Sequence, residues 1–524
     1  YNAVNELTKN PTSTIARSSL IQNAAAFIDR SEAIYSGLKD YQVTLNTEVN
    51  NMVEKINSLG QRIYNLNKGI VKVEAAGVER ANDLRDSRDL ALDELSKYID
   101  IDYYETKDGE VIVSAENVPF ITKNDIAKMS VREEGTYGLL IPQWEGYQQD
   151  VYNFDKQANN ANDTDKGKLK GLLIARGVIE VNYTDIPVMP ERADYDLTTE
   201  QGMAEYNSAM DAYQQKQDYY NKYIEPSAIL SAIAGFDKLV NGIVTAMNDV
   251  LCPETTMDTT KELTDADGNI LKAEKYVYNA STHDVLYDSH GNVVAGKENG
   301  DGTYSYEASE KLYVDANQEE TENIDSMTYK ILDMSKAGYG MDDDETRGVE
   351  LFKRNGTDRY KQITGADGGT IYVRNNLNVT GFETDYTLGN LIVNPKASQN
   401  VGTLPLSTEH GKEDFSKVNE LIDTFSKKFA SLNPENYAKA DFNTFYNDYI
   451  GEFATMGSVL TKYVNNQTTM VNGYDNQRLQ TSGVSSDEEL QKMIKYQHAY
   501  NAASRYINVV SEMIEHLVTS LGHA

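Results

Sequence analysis

The chain has 524 residues, enough for roughly three domains of about 150 residues each. Acidic residues outnumber basic residues by 81 to 49, which gives a formal net charge of −32 at pH 7. Such a surface repels phosphate groups, so we expect neither nucleic-acid binding nor docking on an anionic membrane. High net charge also opposes indiscriminate association, so any assembly must be driven by specific apolar contacts.

The single cysteine, Cys252, excludes an intramolecular disulfide, so cysteine usage does not reveal the cellular compartment. Cys252 precedes Pro253 at a predicted helix end and has no His nearby in the sequence, which favours a buried structural thiol over a nucleophile. No run of about 18 apolar residues predicts a membrane span. No signal peptide is visible at Tyr1, so secretion would require a route other than Sec or a start that is missing here.

The N-terminal segment is predicted to be helical almost throughout, because no proline occurs between Pro11 and Pro119. Apolar residues alternate at spacings of four and three over four heptads, and such a stripe requires a partner helix along its whole length. A partner in the same chain is favoured over a partner in another. The positions of this helical seam are Leu45, Val49, Met52, Ile56, Leu59, Ile63, Leu66 and Ile70, followed by Val73.

A second helix is predicted after Gly77, with Asn82 or Asp83 as its N-cap. Arg85 and Asp89 lie four residues apart and are expected to pair weakly on the helix surface. The charged stretch is otherwise expected to be a solvated face. The opposite face comprises Leu84, Arg88, Ala91, Leu92, Leu95 and Ile99.

From Asp100 the pattern changes to short alternating segments around an Asp108-Gly109 turn, which is typical of strands. Leu139–Ile141 predicts a further strand. Helix returns between Leu197 and Val250, with Pro226 separating a polar, Tyr-rich part from a broad amphipathic stripe.

Turn-forming residues are frequent between residues 254 and about 400. The segments 265–269 and 288–292 are Asp/Asn/Gly turns that each precede an apolar pair, and 299–302 adds another turn. Strands are predicted at the apolar pairs Ile270-Leu271 and Val293-Val294, at Tyr304/Tyr306, and at 371–373 and 391–393. The carboxylates at 265 and 267 imitate the start of a calcium loop. Position twelve of that loop would be a Tyr rather than a Glu, which favours a hairpin turn.

Helix resumes after His410, with apolar faces at 415–429 and 442–463. A final helix is predicted to begin near Ser485 or Ser486, where Glu488 and Glu489 are placed for a capping arrangement. Its apolar positions are Leu490, Ile494, Tyr500, Ile507, Ile514 and Leu517.

This order of elements predicts a multidomain α+β protein. An elongated helical bundle or coiled-coil core is built from the N- and C-terminal segments, and two β-rich domains are inserted into it. The predicted divisions are 1–100 (helical core, N-terminal part), 101–167 (β-rich insert), 168–253 (helical core return), 254–400 (second, variable β-rich insert), 401–484 (helical core, C-terminal part) and 485–524 (C-terminal helix).

Motifs for catalysis and for cofactor binding are missing from the sequence. No HExxH, GxSxG, P-loop or dinucleotide fingerprint occurs, and neither Glu409-His410 nor Glu515-His516 has a second His four residues on. The carboxylate run 342–345 is predicted to be a solvated loop. We therefore expect no catalytic residue, no metal site, no cofactor and no enzymatic activity.

Several segments, in the expected order, resemble the family of flagellar hook-associated protein 1, the hook–filament junction protein. They are 7–11 with Arg17, the heptad stretch, the block 82–96, the segment 168–176, and 482–489 with 496–500. The last pair alone resembles the C-terminal helix shared by rod, hook and hook-associated proteins. The block 82–96 narrows the resemblance through Asn82, Asp83, Leu84, Asp86, Arg88 and Asp89.

The resemblance implies a structural protein that is exported unfolded by the flagellar type III apparatus, with an export chaperone, and folds outside the cell. It implies a ring of copies with the hook protein on one side and the next hook-associated protein or the filament on the other. The final helix would be an axial helix of the inner tube. The family's N-terminal part is absent from this sequence, so we expect an N-terminally truncated form that stays monomeric in solution.

Two other function classes stay open at this point. The β-rich inserts would act as an adhesin or binding module if Tyr304, Tyr306, Tyr313 and Tyr372 formed an exposed aromatic platform. An enzyme hosted in the second insert would require a cleft that gathers His283, His290 and the carboxylates of 342–345.

Overall fold

The structure is a computed structural model. It describes residues 1–75, 77, 80–135, 138–154, 166–257, 262–264, 270–272, 297–298, 304–305, 329–365, 370–375, 386–435 and 438–521. The chain divides into two compact units, Tyr1–Gly451 and Glu452–Ala524. The described helices are α1 (Asn2–Leu7), α2 (Thr14–Glu74), α3 (Asn82–Leu95), α4 (Lys168–Arg176), α5 (Glu200–Tyr219), α6 (Ala228–Leu251), α7 (Pro395–Gln399), α8 (Phe415–Thr424), α9 (Phe442–Ser482) and α10 (Ser486–Leu521).

Helix α2 is the longest element of the first unit, with 61 residues. Ser13 begins it, because the Ser13 hydroxyl accepts a hydrogen bond from the backbone N–H of Ala16 at 3.3 Å and so satisfies one orphan donor. At a rise of 1.5 Å per residue, α2 is about 90 Å long. Its apolar side packs against α3, α4, α6 and the strands of the first insert.

The first insert consists of two antiparallel three-stranded sheets, in the orders β1-β2-β3 and β4-β5-β6. Trp144 and Phe120 are fully buried, with ring centroids 5.9 Å apart, and join the same apolar core as Val49 and Ile56 of α2. The strands are β1 (Ile101–Glu105), β2 (Val111–Ala115), β3 (Val118–Ile121), β4 (Met129–Glu134), β5 (Leu139–Trp144) and β6 (Gln149–Asp150).

Helix α6 is the most apolar helix among the described residues. By length and composition it could cross a membrane, but 67% of its most apolar window is buried inside the protein. It packs against α2, α4 and α8, and Ser227 begins it by accepting a hydrogen bond from the backbone N–H of Leu230. Contacts on several sides explain why its apolar residues extend beyond one stripe.

The second β-rich segment contains a six-stranded antiparallel sheet in the order β7-β12-β15-β14-β8-β9, and the pairs β10-β11 and β13-β16. The strands are β7 (Glu254–Met257), β8 (Glu262–Thr264), β9 (Ile270–Lys272), β10 (Lys297–Glu298), β11 (Tyr304–Ser305), β12 (Tyr329–Leu332), β13 (Phe352–Arg354), β14 (Tyr360–Gly365), β15 (Thr370–Arg374) and β16 (Leu391–Val393).

Four of the strands predicted in this segment coincide with β9, β11, β15 and β16. The predicted turns at 265–269, 288–292 and 299–302 lie outside the described residues, as do Val293-Val294 and Tyr306. The six-stranded sheet brings together strands from the beginning of the segment and from its second half, since β7 pairs with β12 and β8 pairs with β14.

A buried arginine joins the start of the chain to a segment near residue 400. The Arg17 side chain donates hydrogen bonds to the carbonyls of Pro11 (2.8 Å) and Leu404 (2.9 Å) and to the Ser407 hydroxyl (2.7 Å). Burial lowers the pKa of Arg17 to about 10, so it remains protonated at neutral pH. Helix α8 also packs on α1 and α6. The predicted α+β fold, with β-rich segments inserted into a helical core of N- and C-terminal segments, is therefore confirmed.

A close approach at Gly60 of α2 generates a stability prediction. A Cβ atom at Gly60 would lie 2.5 Å from Cζ of Phe120, which is itself fully buried. We expect Gly60→Ala to lower the free energy of unfolding by about 1–3 kcal/mol, because the packed ring cannot move away without strain. Urea unfolding followed by circular dichroism measures the change.

Gly37 provides the matched control, because it lies in the same helix and a methyl group there would meet nothing within 4 Å. Gly37→Ala is expected to raise the free energy of unfolding by about 0.5–1 kcal/mol, the usual gain in an exposed helix. Equal effects of the two substitutions would contradict the packing at Phe120.

Candidate assembly surfaces

The predicted helical seam lies inside the first unit. Val49, Ile56, Leu59 and Ile63 belong to one apolar core together with residues of α3, α4, β2 and β3. Leu45 packs against a neighbouring core built on Ile229 and Leu230 of α6. Ile70 is fully buried, whereas Met52 and Leu66 are half-buried. The chain itself thus covers most of this stripe, although Val73 at its end is 38% exposed.

The block 82–96 forms α3, but two expectations about its polar residues were wrong. The N-cap position is Ala81, and neither Asn82 nor Asp83 provides a side-chain cap. The Ala81 backbone N–H instead donates to a Glu74 carboxylate oxygen at 2.9 Å. Asn82, Asp83, Asp86 and Asp89 are exposed, Leu84 is half-buried, and Arg88 is only 2% exposed.

Arg85 and Arg88 bind carboxylates outside their own helix. Arg85 donates two hydrogen bonds to Glu74, at 2.8 and 2.7 Å, and one to Glu105 at 2.8 Å. Arg88 donates to Glu105 at 2.8 Å and to the carbonyl of Gly109 at 2.7 Å. The bidentate arrangement fixes direction as well as distance. These two arginines therefore join the end of α2, helix α3 and the β1–β2 turn, and the expected Arg85–Asp89 surface pair does not form.

The turn residue Gly109 explains the tight fit at this junction. Its φ of +84° lies in the left-handed region, and a Cβ atom there would stand 2.9 Å from an Arg85 nitrogen. Only glycine accommodates both conditions without strain. We call Arg85, Arg88 and their carboxylate partners Glu74 and Glu105 the arginine site, and the Asp108-Gly109 turn is thus also part of it.

The second unit consists of α9 from Glu452 onward and α10. At the start of α10, the Ser485 hydroxyl accepts a hydrogen bond from the Glu488 backbone N–H at 3.4 Å, which is one of the two hydrogen bonds of the predicted capping arrangement. Along both helices large apolar side chains are exposed, including Val459, Leu460, Tyr463, Val464, Met470, Val471, Tyr474, Leu479, Met493, Tyr496, Tyr506, Met513 and Val518.

All six predicted apolar positions of the final helix are exposed. They are Leu490 (52%), Ile494 (45%), Tyr500 (75%), Ile507 (63%), Ile514 (56%) and Leu517 (56%). Tyr500, Ile507 and Ile514 are spaced by seven residues and therefore lie nearly above one another on α10. Contiguous exposed apolar surface of this kind marks an interaction site. We call the exposed apolar residues of 452–521 the α9–α10 surface.

Charge is low on the α9–α10 surface. Residues 452–524 contain seven Asp or Glu and five Lys or Arg, whereas the preceding 451 residues contain 74 and 44. Two of the charges pair within α10, where Lys492 contacts Glu489 at 2.8 Å. Close approach of a partner therefore meets little electrostatic repulsion here compared with the rest of the chain.

Groups suited to catalysis or metal binding are scarce in the part of the chain that the structure describes. No group of three His, Cys, Asp or Glu side chains that could hold a metal ion occurs there. Cys252 is fully buried, and burial raises the pKa of its thiol to about 12, which suppresses the thiolate. His283 and His290 lie outside the described residues. Of the 342–345 carboxylates, Asp342 accepts a hydrogen bond from the Thr346 backbone N–H at 3.0 Å.

The aromatic platform receives no support. Tyr306 and Tyr313 lie outside the described residues, and the side chain of Tyr304 is likewise not described. Tyr372 packs edge-on against Tyr360, with ring centroids 6.4 Å apart, and is half-buried.

The arginine site generates a pH prediction. Hydrogen bonds from Arg85 and from the Ala81 backbone lower the pKa of Glu74 to about 2, from an ordinary value of 4.5. A lowered pKa means that the Glu74 carboxylate stabilises the fold above about pH 4.5, and that this contribution is lost as the pH falls toward 2. We expect Glu74→Gln to destabilise the protein at pH 7, and progressively less at pH 4 and pH 3, in urea unfolding.

Asp86→Asn is the control for this titration, because Asp86 is exposed on the same α3 and its replacement leaves the Arg85 contacts in place. It is expected to change stability little at any of these pH values. A Glu74→Gln effect that does not shrink on acidification would contradict the ion pair as the source of stability.

Two family models and one full-length relative match this chain. Residues 1–209 match the family model of the flagellar hook-associated protein FlgK helical domain, and residues 475–520 match that of the flagellar basal body rod FlgEFG protein C-terminal region. The chain is 24% identical over 531 residues to flagellar hook-associated protein 1 of Bacillus subtilis (strain 168), covering 100% of this chain and 75% of that protein.

A solved structure, the flagellar hook junction protein FlgK from Burkholderia pseudomallei, is similar at 13% identity and a TM-score of 0.34. The similarity covers 78% of this chain but only 59% of the other, and at this TM-score it is too weak to bear on the fold. The two family models, matched in order along the chain, and a relative that covers all of it at 24% identity make this protein similar to flagellar hook-associated protein 1 (FlgK) and to other structural proteins of the flagellum.

Proposed function

We propose that the protein forms the junction between hook and filament, and that the α9–α10 surface holds it to its neighbours. The exposure of apolar side chains along 452–521 is the observation that carries this proposal. Similarity to hook-associated and rod proteins supplies the setting, an axial flagellar structure. Copies of the chain, the hook protein on one side, and the next hook-associated protein or the filament on the other are the proposed partners.

The energetic argument follows from exposed area. Fully burying a Leu, Ile, Val or Met side chain contributes about 1.5–3 kcal/mol, and the side chains of the α9–α10 surface still expose roughly half of their area. Each therefore offers about 1 kcal/mol on association, before the cost of immobilising the partner. A dozen such residues is enough for a stable helical interface. In the first unit, by contrast, most of the apolar seam of α2 is already buried in the core of the chain itself.

A junction requires two different partners, one on each side. Heterologous contacts, in which one surface of a subunit meets a different surface of the next, generate rings or open helical arrays. The free, buried Cys252 means that no disulfide has to form after passage of an unfolded chain through an export channel. Export by the type III route with a chaperone is part of the proposal.

The first experiment is electron microscopy of cells that lack the gene. Junction function predicts intact hooks without filaments and flagellin lost to the medium, because the filament has nothing to assemble on. Complementation with the wild-type gene restores filaments. Normal filaments and normal swimming in the deletion strain would overturn the proposed function.

The α9–α10 surface is tested in the same strain. We expect Ile507→Asp combined with Ile514→Asp to prevent filament attachment, because two charges would be placed on an apolar interface. Since both residues are exposed, circular dichroism of the purified variant should be unchanged. The matched control is Asn508→Asp, which places a charge one residue away on another side of α10. Filaments in the double variant would show that this face is not the interface.

A further inference from the structure

Helix α9 contains glycines that packing does not explain. Gly451, Gly457 and Gly473 lie inside the helix, and a methyl group at any of them would meet nothing within 4 Å. Alanine would fit at each position and would stabilise the helix by about 1 kcal/mol. Gly451 and Gly457 are six residues apart, so they weaken two successive turns.

The segment around Gly457 has two further features that loosen a helix. Gly457 and Ser458 form a Gly/Ser pair, one of the few sequence features at which helices kink. The Thr461 hydroxyl donates a hydrogen bond to the Gly457 carbonyl at 2.7 Å. Such back-bonding to the carbonyl four residues earlier slightly destabilises helices and often bends them.

The position of this segment along α9 is also distinctive. Before it, Phe445 and Tyr449 are buried, and the Tyr449 hydroxyl donates to the carbonyl of Ala232 in α6 at 3.0 Å. After it, Tyr463 and Val464 are more than half exposed. The two compact units divide between Gly451 and Glu452. The weak turns therefore separate the anchored start of α9 from its exposed remainder.

We propose that residues 451–461 of α9 are a built-in hinge, at which the helix bends while the flanking turns stay intact. The bending is a property of this helix and does not depend on the proposed function. Its use does rest on that function: a subunit placed between two different assemblies benefits if its α9–α10 surface can adjust to both partners without disturbing the first unit.

Spin-label distance measurement on the full chain tests the bend directly. Labels on Asp448→Cys and Val464→Cys span the proposed hinge, and labels on Val464→Cys and Gln480→Cys span an equal 16 residues of the same helix. Both pairs should lie about 24 Å apart along a straight helix. All three positions are exposed, and the native Cys252 is buried and does not compete for label.

We expect the distance distribution of the 448–464 pair to be at least twice as broad as that of the 464–480 pair. The second span is a demanding control, because it contains Gly473 and two back-bonded threonines, Thr468 and Thr469. Gly451→Ala with Gly457→Ala should narrow the first distribution to the width of the second. Equal widths in the unsubstituted protein, or no narrowing in the double variant, would overturn the hinge.

Counting the cells that carry filaments, in the producing bacterium, distinguishes the hinge proposal from the junction proposal. The Gly451→Ala, Gly457→Ala double variant is expected to reduce the fraction of cells with filaments, whereas Gly37→Ala and Gly473→Ala are not. Filament numbers equal to wild type would show that bending has no use in assembly. That outcome would leave the deletion phenotype, and with it the junction proposal, untouched.

Discussion

The apolar stripe of α2 is the constraint on which the rest of the first unit depends. A helix about 90 Å long with a continuous apolar face cannot leave that face in water, and helical propensity alone does not hold it together. The chain supplies partners in sequence order: α3, the first pair of sheets, then α4 and α6. Each partner is short, so the long helix is the common scaffold against which they are all placed.

Buried arginines then fix where each partner lies along that scaffold. Arg17 joins the start of α2 to residues 404–407, Arg88 joins α3 to the β1–β2 turn, and Arg176 donates from α4 to the carbonyl of Leu140 at 2.8 Å. Apolar contacts tolerate sliding, whereas several directed donors on one planar group do not. Losing any of these partners would leave a desolvated charge or carbonyl, which makes each junction specific.

Periodicity in the sequence predicted α2 and the strands because both depend on local alternation of apolar residues. It did not identify the partner of the stripe, since heptad spacing is the same whether a helix or a sheet covers it. Asn82 was predicted as a cap from residue type, but Asn82 is the first residue inside α3, and Ala81, whose backbone N–H donates to Glu74, stands at the N-cap position. Arg17 gave no local signal, because its acceptors near residue 404 are distant in sequence. The exposure of α10 likewise depends on tertiary contacts, which no pattern within α10 encodes.

The burial of Cys252 has a consequence for life outside the cell. An exposed thiol on a protein that assembles in many copies would be oxidised in an aerobic medium, and could form covalent links between subunits in the wrong register. Cys252 is enclosed at the end of α6 with a raised pKa, so neither peroxide nor a disulfide reaches a reactive thiolate. In the proposed assembly, subunits would therefore search for the correct contact reversibly, with no chemical step that traps an error.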